Sequence, residues 1–256
     1  MAQLYDEIGV GYSDHRRPDA RFAAPIHAAL GDAASVVNVG AGTGSYEPGH
    51  CKVVAIEPST AMIRQRIAGS APAVRATAAA LPFRDGAFDA ALAVLTLHHW
   101  KHRTRGLTEL ARVARERVVI LTFDPQVTGF WLVDDYFPRI LEVDRSIVPT
   151  LAEFRQALGD IEVREIPVPH DCSDGFLGAY WRRPERYLEA GVRGAISTFG
   201  RIGDVEPGLQ RLRRDLRDGR WHERHGALLE RDELDLGYRL LIGTPRASAD
   251  RSRSTP

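Results

Sequence analysis

The segment Val36-Val37-Asn38-Val39-Gly40-Ala41-Gly42-Thr43-Gly44-Ser45 restricts the fold of this chain more than any other stretch. A short apolar run leads straight into three glycines at alternate positions. Apolar runs bounded by turn signals suit a strand buried on both faces of a sheet. The glycines permit a tight turn and leave backbone without Cβ atoms, against which a ligand can lie. A helix starting after such a turn offers free N–H groups. Glu57 follows the next apolar run, seventeen residues beyond Gly40, close to the ~20-residue separation at which an acid meets ribose hydroxyls. A carboxylate accepts from both hydroxyls of a diol and repels a 2′-phosphate, which argues against NADP. The dinucleotide pattern G-x-G-x-x-G would put its third glycine at Ser45, whereas this loop reads G-x-G-x-G.

Strand signals recur at 35–39, 53–56, 74–77, 88–95 and 118–123. Helical patterns lie between them. Residues 58–68 carry Met62, Ile63 and Ile67 on one face, with Ser59 as the N-cap, and residues 103–115 carry Leu107, Leu110, Ala111 and Ala114. Alternation of this kind implies right-handed crossovers and a parallel sheet covered on both faces. Beyond 123 the rhythm changes. Strands are expected at 161–168 and 238–243, separated by about seventy residues of helical pattern. That spacing suits a last hairpin opened to hold a cap, with the aromatic 130–141 as a further covering element. Both should sit over the carboxyl ends of the strands, where open α/β sheets bind ligands.

Composition excludes several classes. Hydrophobic residues make up 44% and charged residues 27%, and the formal net charge is zero, so neither nucleic acid nor an anionic membrane is the expected partner. The arginines of 211–224 are interleaved with Asp215, Asp218 and Glu223 and backed by Leu209, Leu212 and Leu216, the pattern of a solvated amphipathic helix. Cys51 and Cys172 suggest neither a disulfide framework nor a metal motif. The start shows no leader and no run is long enough to span a membrane, so a cytoplasmic protein is expected.

From 36 to 123 the chain resembles the class I S-adenosylmethionine (SAM)-dependent methyltransferases, in particular the small-molecule group that includes the ubiquinone/menaquinone-biosynthesis type. The resemblance rests on the glycine loop, on Val54-Ala55-Ile56-Glu57-Pro58-Ser59 with Met62, on Ala78-Ala79-Ala80-Leu81-Pro82-Phe83 followed by Gly86-Ala87-Phe88-Asp89, on Val94-Leu95-Thr96-Leu97-His98-His99-Trp100, and on Leu110-Ala111-Arg112-Val113. It implies a Rossmann-like α/β fold with a seven-stranded, mostly parallel sheet, the last strand antiparallel, helices on both faces and a helical cap insertion. The expected organisation is an N-terminal helical lid at 1–34, the SAM-binding core at 35–168, a substrate cap at 169–236, the final strand at 237–244 and a disordered tail at 245–256.

The resemblance further implies that Gly40, Ala41 and Gly42 back the amino-acid end of SAM and that Glu57 holds its ribose hydroxyls. Pro58 and Met62 flank the adenine, the backbone of Thr77 and Ala78 meets its edge, and Leu95 lies near the methionine part. Tyr5 or, in preference, Tyr12 closes over the amino-acid end. Relatives carry an aspartate where this chain has Thr77 and often an acid where it has Val39, so two polar contacts are weaker. The implied reaction moves a methyl group from SAM to an O, N or C atom of a small-molecule acceptor, leaves S-adenosylhomocysteine (SAH) and needs no metal. The alternatives are an NAD-dependent oxidoreductase and a non-catalytic SAM-binding protein. The chain is expected to be a monomer or homodimer.

Acceptor chemistry has several candidates. His98 and His170 are the catalytic ones, since imidazole is the usual base near neutral pH. His99, Trp131, Tyr180, Trp181 and Arg182 are candidate acceptor contacts, aromatics and arginine suiting a planar or anionic molecule. Local packing is the bland reading of each. Arg16, in His15-Arg16-Arg17-Pro18, could meet a carboxylate of SAM or of the acceptor, or lie in a solvated turn.

Overall fold

The computed structural model describes residues 12–245. Tyr5 and, apart from Pro245, the 245–256 tail lie outside the described residues; so does the side chain of Tyr12. A seven-stranded sheet runs through the molecule in the order β3-β2-β1-β4-β5-β9-β6. Its strands are β1 (Ser35–Val39), β2 (Lys52–Ile56), β3 (Ala73–Val74), β4 (Phe88–Val94), β5 (Ala114–Phe123), β6 (Ile161–Glu165) and β9 (Tyr238–Gly243). The first five are parallel. β9 is antiparallel to both neighbours, with Leu121 opposite Leu240 and Val163 opposite Leu241. Two short strands, β7 (Val168–Pro169) and β8 (Glu233–Leu234), pair at the base of the long insertion between β6 and β9.

Successive side chains of a strand point to opposite faces, and the central strands are apolar on both. Val36, Leu92, Val119, Leu121 and Leu240 face one core; Val37, Ala91, Val118, Ile120 and Leu241 face the other. After the short helix α1 (Tyr12–His15), helix α2 (Ala20–Leu30) presses Phe22, Ile26 and Leu30 into the first core, and the insertion completes it. Helix α4 (Arg103–Val113) and helix α6 (Leu151–Leu158) cover the second with Leu107, Leu110, Phe154 and Leu158. The helix after β2, α3, is only Thr60–Arg64, shorter than the 58–68 pattern suggests. Ser59 caps it, its hydroxyl accepting from Met62 N at 3.3 Å. It stops early because Arg66 turns inward to a buried ion pair with Glu47 (2.6 Å) and also donates to the carbonyls of Gly42 and Ala71. That pair ties the glycine loop to the chain entering β3.

The cap region is built from a π-helical turn at Leu132–Tyr136, helix α5 (Arg139–Ile147), α7 (Ala190–Gly194), α8 (Glu206–Arg217) and α9 (Arg220–His225). Its centre is aromatic. Trp131 packs edge-on against Tyr187 and Trp221, and its indole N–H donates to Trp181 O at 2.8 Å.

The strand order reverses between β1 and β4, which leaves a crevice at their carboxyl ends. There Gly40 has φ +75°, and a Cβ on it would lie 2.0 Å from the Thr96 hydroxyl oxygen. Gly40→Ala is therefore expected to cost about 3 kcal/mol, from a disfavoured backbone conformation added to overpacking. Gly49→Ala, with open space at its Cβ, is expected to change stability by less than about 1 kcal/mol. Thermal denaturation of the two variants beside wild type measures the difference.

Candidate active site

Two cavities meet above the carboxyl ends of β1, β2, β4 and β5. The outer one, about 450 Å³, is bounded by the glycine loop, the end of β2, the turn at 77–79 and residues 94–102. The inner one, about 100 Å³, lies between Phe123, helix α5, the loop at 176–178, residues 195–198 and Tyr238. Arg16, Leu95 and His99 line both.

The outer cavity follows from local sequence. Gly40 and Gly42 both take positive φ, and the amides of Gly40 and Ala41 turn back onto Ile56 O at 2.8 and 3.0 Å. The loop thus wraps over the end of β2 and brings Glu57 against it. Glu57 is 6% exposed. Its Oε2 accepts from Gly42 N and its Oε1 from Ser59 N, each at 2.9 Å. Burial raises its carboxyl pKa, opposed by those two amides and by Arg66. A carboxylate offers about four acceptor positions, so both oxygens retain capacity for a diol. Pro58, Met62, Thr77 and Ala78 line the same cavity. A bare-backbone turn, a fixed carboxylate and apolar flanks suit a neutral adenine nucleoside.

Leu95 forms the joint between the cavities. Its φ of +47° puts a non-glycine residue in the left-handed region, a cost on the order of 1–2 kcal/mol, and its amide is anchored to Leu121 O at 2.8 Å. Arg16 reaches the joint from the other side. A bridge between Arg16 and Asp174 and the Gly175 N–His15 O hydrogen bond hold this segment. The guanidinium pairs with Asp174 at 2.5 Å, and Asp174 also accepts from the hydroxyl of Tyr46 at 2.8 Å. Burial, then Asp174, pushes the Tyr46 phenol far above its ordinary pKa, so it stays a proton donor.

A methyltransferase-domain model matches residues 37–122. A protein from Anabaena variabilis, named as a methyltransferase from an antibiotic biosynthesis pathway, is 32% identical over 90% of this chain and 99% of its own, with a TM-score of 0.82. The chain belongs to the class I SAM-dependent methyltransferases. Two more distant structures share the fold of this methyltransferase. A SAM-dependent methyltransferase from Thermotoga maritima is 16% identical with a TM-score of 0.58, covering 96% of this chain and 100% of its own. A geranyl diphosphate methyltransferase, solved with geranyl diphosphate and sinefungin, is 15% identical with a TM-score of 0.51, covering 89% and 78%. No curated protein matches the sequence.

In the methyltransferase, the residues expected at the cofactor (Gly40, Ala41, Gly42, Glu57, Pro58, Met62, Thr77, Ala78 and Leu95) all line the outer cavity. The acceptor candidates divide. His98 and His99 line the inner cavity, their rings 3.9 Å apart. His99 Nδ1 lies 2.6 Å from Arg201 Nη2. Arginine has no acceptor, so this nitrogen is unprotonated and the ring's proton sits on Nε2. Burial, His98 and the Arg201 and Arg16 cations hold His99 well below its ordinary pKa, and burial with the two arginines pushes His98 down to about 3. A base so weak retains a proton poorly near neutral pH, which counts against His98 as the proton acceptor.

The remaining candidates lie away from both cavities. His170, Trp131, Tyr180, Trp181 and Arg182 line neither cavity. His170 sits on the β7–β8 pair, bonded through Nδ1 to Asp232 O at 3.2 Å, while the adjacent Asp171 turns to Arg21. Trp131 and Trp181 are core: Trp181 is wholly buried, and its indole N–H donates to Val168 O. The Tyr180 ring lies under the guanidinium groups of Arg183 and Arg186, and Arg182 donates to Arg231 O. In each case a large side chain finds its partner inside the insertion rather than at the sheet. Among the described residues no cluster of three or more His, Cys, Asp or Glu could hold a metal, and no helix is long and apolar enough to cross a membrane.

One inner-cavity residue had no place in the sequence reading. Asp144, one turn beyond the buried Ile140 on helix α5, faces inward with it, is 5% exposed and lines the inner cavity. Its Oδ1 has no hydrogen-bond partner. Burial pushes the carboxyl up to about 7, against the opposing pull of Arg201. The sequence clue was an acid at i+4 from an apolar residue on a helix that covers a cavity.

The folded protein retains the Asp144 proton to about pH 7, whereas the unfolded chain releases it near pH ~4. Stability is therefore highest below the lower value, falls as pH rises through this window and stays reduced above it. Asp144→Asn is expected to be more stable than wild type by about 2–4 kcal/mol at pH 8, with the difference vanishing near pH 4. Melting temperatures of both proteins across this range give the result; a gap independent of pH would contradict it.

Proposed function

We propose that the outer cavity holds SAM and the inner cavity holds a small-molecule acceptor, the methyl group passing between them at the joint made by Leu95 and His99. The observation that carries this reading is the shared wall: a nucleoside-sized cavity with a fixed carboxylate opens beside a second one of mixed polar and apolar lining, with Arg16, Leu95 and His99 common to both. Bound SAM supplies a methyl group on a sulfonium, already activated toward an in-line displacement. The protein has then to align the two partners and exclude water, and positioning of this kind contributes up to about 7–11 kcal/mol in ideal cases.

Within this reading Glu57 accepts from the ribose hydroxyls, and the Gly40–Gly42 backbone backs the amino-acid end. Pro58 and Met62 flank the adenine, while Thr77 and Ala78 meet its edge. Arg16, held by Asp174, to which the Tyr46 hydroxyl also donates, faces the carboxylate of the amino-acid end. The insertion between β6 and β9 acts as the acceptor cap, supplying Phe176, Leu177 and residues 195–198 to the inner cavity.

Titration calorimetry with SAM and SAH tests the donor half. Glu57→Ala and Gly42→Arg are each expected to weaken SAM binding tenfold or more, through loss of the diol contact and obstruction of the turn. His98→Ala is expected to leave SAM affinity within about twofold. Unchanged affinity in folded Glu57→Ala and Gly42→Arg proteins, or a large loss in His98→Ala, would refute the assignment.

A further inference from the structure

The inner cavity contains a feature that a purely apolar recognition site does not need. Asp144 lines the cavity, and its Oδ1 is buried with no hydrogen-bond partner. Buried polar atoms left unsatisfied cost about 1–3 kcal/mol each, so one at the wall of a ligand cavity marks where a ligand donor belongs. The charged and titratable groups around it are accounted for. On the turn after β4, His98 and His99 are neutral rings, and Arg201 is bonded to His98 O and His99 Nδ1. Arg16 pairs with Asp174. On β9, the Tyr238 hydroxyl accepts from Gly178 N. Asp124 and Asp134, at the other side of the cavity, accept from the backbone amides of Gln126 and Gly129.

We propose that Asp144 binds the nucleophile of the acceptor and takes its proton, so that the acceptor is a non-anionic molecule carrying a hydroxyl or an amine. This rests on the reading above, in which the inner cavity holds the acceptor. Ionised, the Asp144 carboxylate presents lone pairs that only a hydrogen-bond donor can use. An attacking carbon offers no such donor, and an anionic acceptor would place its charge against a carboxylate. As the acceptor's oxygen or nitrogen forms its bond to the methyl carbon, the carbon–sulfur bond breaks and its electron pair stays on sulfur. The proton left on the heteroatom passes to the Asp144 carboxylate and from there to solvent. The carboxyl's affinity for that proton, raised by burial to about 7, lies near the operating pH, as proton transfer requires, whereas that of His98 does not.

The experiment uses full-length wild type, Asp144→Leu and Asp144→Asn, each first titrated with SAH and then, with SAH bound, with phenol, aniline, toluene and benzoate. Wild type is expected to bind phenol or aniline at least tenfold more tightly than toluene and benzoate, the better of the two separating an oxygen from a nitrogen acceptor. Asp144→Leu should lose that preference, while Asp144→Asn, which still accepts a hydrogen bond, should keep most of it. With SAM in place of SAH, methylation of the preferred probe should fall 100-fold or more in Asp144→Asn, the scale of a lost proton acceptor. Equal binding of toluene or benzoate by wild type, binding of none of the probes, retention of the preference in Asp144→Leu, or full methylation by Asp144→Asn would overturn the proposal. If wild type fails to bind SAH, the donor assignment falls instead. Normal SAH binding by the variants shows that they are folded.

Discussion

The backbone of Gly40 lies so close to the hydroxyl of Thr96 that no side chain fits between them. β1 and β4 are neighbours in the sheet, but the chain leaves them in opposite directions across it, and the glycine loop and the 95–100 turn are the two lips of the resulting crevice. Their contact sets the separation of everything mounted on those lips. Through the loop it fixes Glu57, whose carboxylate is bonded to Gly42 N. Through the turn it fixes Leu95, His98 and His99. The buried Arg66–Glu47 pair braces the loop from behind, since Arg66 also donates to Gly42 O. Breaking one partner of such a pair leaves an uncompensated charge, commonly a loss of 3–5 kcal/mol, so this brace is part of the loop's geometry.

The lining of the outer cavity could be read from the sequence because its determinants are contiguous. Glycines at fixed spacing, an acid at the end of the next strand and a capped helix after it are local facts, and strand–helix alternation puts them at one edge of the sheet. The inner cavity could not be read in the same way. Trp131, Tyr180 and Trp181 lie in a segment rich in aromatics, and an aromatic residue has the same pattern whether it walls a cavity or fills a core. Only the partners decide, and here they are carbonyls and rings within the insertion. His170 and Asp171 are adjacent in sequence but turn to different partners, as neighbours in extended chain do. Asp144 carries no local signal of its own; its burial comes from the sheet and the cap closing around it.

The turn after β4 shows why residue type alone does not define chemistry. Two adjacent histidines at the end of a central strand invite a catalytic reading. In their actual surroundings, burial and two arginines suppress protonation, and Arg201 dictates the tautomer of His99. They are thereby turned into a neutral partition between two cavities. Titratable capacity near neutral pH resides instead on a carboxyl one helix away, raised by the same burial that lowers the imidazoles.

The insertion joins β6 to β9, which are hydrogen-bonded neighbours, and β7 and β8 zip its two ends together. Its stem is thus closed independently of whatever lies between. The entropic cost of a longer or shorter excursion from a closed stem grows only logarithmically with length, and no residue of the glycine loop belongs to it. Beyond the contacts of Asp174 with Arg16 and Tyr46, selection can therefore remodel this region, adding or deleting whole turns of helix, without touching the glycine loop. A lineage built on this plan can change clientele faster than it changes its currency.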